Sequence, residues 1–241
     1  MPTQVVNIPG LGEVLLAKRR DTRHIKLSVT QRGVARVSMP YWVPYSAGVN
    51  FARSRKDWIL TQKAKHQPPL IANRTRIGKS LTVVITAHSS ATFRAKIEGS
   101  YLKVSLPAGS NLSQWQQKLL DSAEKALKKE AYAILVPRTE ELARLYNLGF
   151  EGVKVRKMTS RWGSCSSKKH ITLSYYLVQL PQELIDYVII HELLHTKHMY
   201  HGPKFWRAFE EILPDAKKIK KRVHSYKPAL MLSPQPSLIS R

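Results

Sequence analysis

The strongest constraint on the fold lies in residues 184–195. Leu184-Ile185-Asp186-Tyr187-Val188-Ile189-Ile190 runs straight into His191-Glu192-Leu193-Leu194-His195, and no glycine or proline interrupts the chain up to Met199. A run this apolar reads as a buried helix. On a helix, residues four apart share a face. His191 and His195 therefore point the same way from an element that the rest of the chain has to bury.

Around that helix the hydrophobic period changes several times. Val5, Ile8 and Val14-Leu15-Leu16 are β-prone, with Gly10 and Gly12 as punctuation. Ile25 to Val29 alternates apolar and polar, Gln31-Arg32-Gly33 turns the chain, and Val34 to Met39 alternates again up to Pro40. That is a hairpin signal. Residues 45–65 read as helical, with Ala47, Phe51, Trp58 and Ile59 on one stripe, ending at Pro68-Pro69. Residues 81–86 and 101–106 read as strands. Residues 112–147 read as helical with a break at Pro137 and a cap at Gly149.

Strands are expected at Val153–Arg156 and Ile171–Leu173, with Ser166-Ser167-Lys168-Lys169 as the turn between them. Pro181 suits the first position of the His191 helix. Pro203 opens another helix that buries Phe205, Trp206, Phe209, Ile212 and Leu213. No internal repeat is visible. The chain reads as α+β, with a basic, β-rich accessory domain over 1–110, an α+β domain over 111–227, and a flexible tail over 228–241 carrying Pro228, Pro234 and Pro236.

The histidine helix carries the chemistry. With 9 His and 11 Glu in 241 residues, chance alone gives about 0.015 runs of the form His-Glu-x-x-His. Two imidazoles at this spacing can converge on one ion at about 2.0–2.1 Å. Glu192 points about 100° round the helix from His191, where it is poorly placed as a ligand but within reach of a water on the ion. A catalytic zinc usually takes a third protein ligand. His201 can return to the metal through a reversal at Gly202-Pro203. Glu210 or Glu211 on the next helix is a second option. His198 is a third, although its Cα lies about 10 Å along the axis from His191 if the helix continues. A buried polar cluster without metal is the bland alternative, and it would leave several histidines and a glutamate unpaired at a cost. Cys165 reads as packing or lining the site rather than as a nucleophile.

Composition narrows the setting. One cysteine in the whole chain excludes an internal disulfide and any cysteine-rich zinc site. No secretion signal or membrane-length apolar run stands out, so a cytoplasmic protein with no membrane span is expected. The net charge is +24, and residues 1–97 hold 17 Lys and Arg against 3 acids. Such charge favours polyanions, nucleic acid included, but gives no specificity. Tyr41-Trp42, Tyr45 and Phe51-Ala52-Arg53 place aromatics among the basic residues, yet no nucleic-acid recognition motif accompanies them.

Ser160-Arg161-Trp162-Gly163-Ser164-Cys165-Ser166 completes the pattern. Taken with Ile171-Thr172-Leu173, Pro181 to Tyr187, the His191–His195 run, His201 and Phe205-Trp206, it resembles the YgjP-like metallopeptidase family, itself similar to the SprT-like zinc proteases. The resemblance is strong over about 150–210 and extends weakly to Trp58-Ile59. The chain departs from the family's usual residues at Ser174, Tyr200 and Gly202. The resemblance implies a zincin-like catalytic domain with one Zn2+ per chain held by His191, His195 and His201, Glu192 as general base, and a peptide or protein substrate. Arg161, Trp162, His198, Tyr200 and Tyr226 are candidate contacts to substrate or transition state. Two rival readings are a DNA-associated protease of the SprT-like kind and a non-catalytic basic binding module with a structural zinc.

Overall fold

The computed structural model describes residues 3–30, 33–65 and 70–232. The chain divides into two compact units, Met1–Pro69 and Leu70–Arg241.

In the first unit β1 (Thr3–Ile8), β2 (Gly12–Arg19), β3 (Lys26–Val29) and β4 (Ala35–Pro40) form one sheet in the order β1-β2-β4-β3. The expected hairpin is the antiparallel β3/β4 pair, and β2 runs parallel to β4. Gln31 and Arg32 of its turn lie outside the described residues, while Gly33 takes the φ of +73° that the reversal needs. Val14, Leu16, Ala35, Val37 and Met39 alternate onto one face and meet Ala52 and Ile59. Those two come from separate helices, α1 (Tyr45–Ser54) and α2 (Lys56–Lys65). Arg55 leaves helical geometry between them at φ −113°, ψ 25°. The break changes the helical phase, so Ile59 is buried while Trp58, expected on the same stripe, is 44% exposed.

The second unit opens with β5 (Arg76–Ile77), β6 (Leu81–His88), β7 (Arg94–Glu98) and β8 (Tyr101–Pro107), in the order β5-β6-β8-β7. This is the connectivity of the first sheet, with β6 parallel to β8 and β7 antiparallel to it. Val37-Ser38-Met39-Pro40 ends β4 as Val104-Ser105-Leu106-Pro107 ends β8. Pro40 pairs with Arg19, and Pro107 with His88, each at the end of its parallel ladder. The chain does contain an internal structural repeat, which is too divergent in side chains to show as sequence periodicity.

α3 (Gln116–Leu145) joins two cores. Leu119, Ala123 and Ala126 cover the β6/β8 sheet, while Leu127, Ala131, Leu135 and Leu142 enter the core around the histidine helix. One continuous helix serves both cores, and both lie in the compact unit that begins at residue 70. Pro137 does not break it. Pro137 and Ala133 are both exposed, so the Ala133 carbonyl that loses its amide partner can turn to water, and burial on the opposite face holds the helix together. The cap is Asn147 at φ 50°, not Gly149. Leu148 N–H donates to Ala143 O and Asn147 N–H to Arg144 O, the paired bonds of a left-handed helix stop.

The last sheet contains β9 (Gly152–Arg156), β10 (Gly163–Cys165) and β11 (His170–Ser174), in the order β10-β11-β9. The turn at 166–169 joins β10 to β11, and β9 is the parallel neighbour of β11 rather than its hairpin partner. α4 (Gln182–Leu194), α5 (Pro203–Ile212) and α6 (Ala216–Ser225) complete the unit. Arg138 of α3 grips Asp186 of α4 with two hydrogen bonds of 2.8 and 2.7 Å. The start of the expected tail is held: Gln179 accepts from Met231 N–H and donates to Ala229 O. Residues 233–241 lie outside the described residues. No described helix is long and apolar enough to cross a membrane.

Candidate metal centre

α4 begins after Pro181, whose carbonyl accepts the first helical bonds from Leu184 and Ile185. Its apolar residues are buried nearly all round, with Leu184, Ile185, Ile189 and Leu193 at 0% exposure. The helix stops at Leu194, with His195 as its last capping residue, four residues short of Met199. Thr196 explains the early end: its amide and its hydroxyl both donate to Leu193 O, closing a tight turn. The chain can then double back through His198–Gly202.

That reversal brings three imidazoles together. Nε2 of His195 lies 3.2 Å from Nε2 of His191, and Nε2 of His201 lies 2.9 Å from it. Ligand atoms of the three histidines all fall within 4.8 Å of one another. Four-coordinate zinc with bonds of about 2.0–2.1 Å places neighbouring nitrogens about 3.4 Å apart, so this cluster fits a zinc ion after a small outward relaxation. Nδ1 of His195 lies 3.0 Å from His198 O. A proton on that nitrogen donates to the carbonyl and leaves the Nε2 lone pair facing the cluster. His198 thus meets the site through its backbone. Glu210 is drawn instead to Lys217, at 2.8 Å, and neither it nor Glu211 joins the histidine group among the described residues.

An aromatic collar surrounds the cluster. Tyr187 stacks 6.2 Å from His191, Phe205 stacks 4.9 Å from His195, and Trp206 lies 5.9 Å from His201. Phe205 and Phe209 are fully buried, while Trp206 is only half-buried. Burial, then the charges of His195, His201 and Lys220, push His191 down to about 3. Burial, His195 and Lys220 also lower His201. Neutral imidazoles are the form that binds a metal. The Nδ1 of His191, which carries the ring proton when Nε2 faces the cluster, is buried and finds no hydrogen-bond partner among the described residues.

Glu192 is 7% exposed, and burial pushes its carboxyl up to about 8 against the opposing charge of Arg161. β10 presses directly on it. A methyl group at Gly163 would sit 2.6 Å from Glu192 Cγ and 2.7 Å from Oε1. Only a glycine fits beneath the carboxylate, a role that sequence alone did not assign to Gly163. Cys165, two residues on, is half-buried against the core, and burial together with Glu192 raises its thiol pKa. A raised pKa opposes nucleophilic use.

Arg161 is exposed at the rim of a cavity of about 450 Å3 that also takes in Arg156, Thr159 and Ser164. Trp162 is half-buried against the core, and its carbonyl accepts from Ser174 N–H. Tyr200 stands 87% exposed beside His201, and Tyr226 closes α6 at 37% exposure. Lys220 sits in a run of basic residues, and nothing in the sequence distinguishes it from its neighbours.

The family model described as YgjP-like, metallopeptidase domain, matches residues 23–226. Among solved structures the chain is similar to the metallopeptidase zymogen abylysin of Pyrococcus abyssi, at 28% identity and a TM-score of 0.36, covering 38% of this chain and 93% of that one. It is similar also to the metallopeptidase zymogen jannalysin of Methanocaldococcus jannaschii, at 23% identity and a TM-score of 0.35, covering 38% and 94%. Curated protein sequences gave no match.

Proposed function

The chain belongs to the YgjP-like metallopeptidase family, and from that premise we propose that it is a zinc-dependent peptidase of the His-Glu-x-x-His type. The observation that carries the reading is the convergence of three imidazole nitrogens beside the helix that carries the buried carboxyl of Glu192. His191, His195 and His201 would hold one zinc per chain. The proposed catalytic residues all fall in a zincin-like part over 111–227, with the β-rich residues 1–110 as an accessory domain.

Zinc held by these three histidines would supply Lewis acidity to the scissile carbonyl and to a water. Glu192 takes the proton from the attacking water and delivers it to the leaving amine. Its dry setting raises its basicity toward the working range of a general base. Arg161 opposes that rise and keeps the anion accessible. The aromatic collar packs the rings of His191 and His195 and leaves His201 open to solvent. Gly163 lets β10 approach and fixes the carboxylate. Tyr200, Tyr226 and the ring of His198 remain candidate substrate contacts, and Trp162 anchors the start of β10.

Glu192→Gln keeps the shape of the side chain and removes its basicity. Zinc content and melting temperature should stay close to wild type, while hydrolysis of an unfolded protein substrate falls about 10²–10⁴-fold. His195→Ala should instead lose zinc and activity together. Wild-type cleavage by Glu192→Gln would remove Glu192 as the base and favour a structural zinc.

A further inference from the structure

α6 carries Lys217, Lys218, Lys220, Lys221 and Arg222 within six residues. Three of these cations are committed: Lys217 to Glu210, Lys218 to Asp215 and Arg222 to Glu183. Lys220 is half-buried, and among the described residues no carboxylate is paired with it. Its Nζ stands 4.6 Å from the centre of the Trp206 ring. Trp206 is in turn the neighbour of His201. Both side chains line a cavity of about 750 Å3, together with Pro203, Arg207 and Glu211. With Glu210 neutralised by Lys217, Arg207 and Lys220 face one free acid there. An ammonium resting on an indole face is oriented, yet its N–H groups are still free to donate.

We propose that Lys220, seated on Trp206, binds a carboxylate of the peptide substrate in the cavity beside His201, and so sets where the chain is cut. This rests on the peptidase reading above. An acidic side chain near the scissile bond and a free C-terminus offer the same pair of oxygens. One charge-assisted hydrogen bond in an open cavity favours the anion about tenfold.

The probes are fluorescence-quenched decapeptides of Ala, Gly and Leu with one Glu or one Gln at each position in turn, each made with a free and with an amidated C-terminus. The zinc-loaded full chain should cleave one acidic form about tenfold more efficiently in kcat/KM than its neutral twin. The Glu series and the terminus series identify which carboxylate is read. Lys220→Met should erase the preference, Lys220→Arg should keep it, and Lys220→Glu should move it to peptides carrying Lys in place of Glu. Calorimetric binding of the same peptides to zinc-loaded Glu192→Gln should show the same acid preference, lost on adding Lys220→Met. Equal cleavage and equal binding of acidic and neutral forms would overturn the subsite and leave the peptidase standing. Selective binding without any cleavage by the wild type would uphold the subsite and overturn the peptidase.

Discussion

Replacing Gly163 with alanine puts one methyl group where Glu192 already is. The added Cβ would lie 2.6 Å from Cγ, 2.7 Å from Oε1 and 2.8 Å from Cδ. Carbon–carbon contacts settle at about 3.5–4.0 Å, so strand and side chain have to separate by about 1 Å. Neither has an easy way out. Glu192 is 7% exposed on a helix packed all round, and β10 is fixed to β11 by the pairs Gly163↔Leu173 and Cys165↔Ile171. Overpacking of this kind costs about 1–3 kcal/mol of stability. Moving a general base by about 1 Å costs about 10²-fold in rate. None of the three histidines is touched, so zinc affinity should stay near wild type. The assay is kcat/KM together with zinc content and thermal unfolding for Gly163→Ala, alone and combined with Glu192→Gln. The combination should be little slower than Glu192→Gln by itself, because both changes act on one group. A folded, zinc-loaded Gly163→Ala protein that cleaves at the wild-type rate would refute the claim that β10 positions the carboxylate.

The third ligand can be checked without any substrate. His201→Ala should weaken zinc by more than the about 10–100-fold typical of losing a group that merely orients a ligand, read by competition with a chelating dye. Unchanged affinity would return the role to Glu210 or Glu211. Acid stability tests a site remote from the metal. Burial raises the pKa of Glu124, but hydrogen bonds from Lys157 at 2.5 Å and Tyr176 at 2.6 Å outweigh it and hold the carboxyl below the ordinary carboxylate range. A depressed pKa stabilises the fold above the unfolded value, about 4.3, and that stabilisation is lost as pH falls through the native one. Glu124→Gln should therefore flatten the decline of the unfolding midpoint below about pH 4.5. An unchanged slope would show that Glu124 carries no native-state advantage.

The amino-acid sequence by itself determined the elements whose signals are local. The apolar run through Val188 and Ile190 required α4, period-two alternation required the β3/β4 hairpin, and Pro203 opened α5 where a proline fits. The spacing of His191 and His195 required a shared face and hence a metal hypothesis, because that geometry belongs to any helix. What tertiary structure decided depended on distant partners. Pro137 stays inside α3 because Leu135 and Leu142 are held in a core on the other face. The parallel pairings of β2 with β4 and of β6 with β8, and the repeat they reveal, join strands that are not sequence neighbours. His201 reaches His191 because Thr196 ends the helix early. Gly163 matters because of a side chain 29 positions away, and Lys220 differs from its neighbours only through the ring beneath it. A local pattern fixes which way a residue points along its own element, but close approach between elements is settled by packing of the whole core, where each side chain's room depends on all the others.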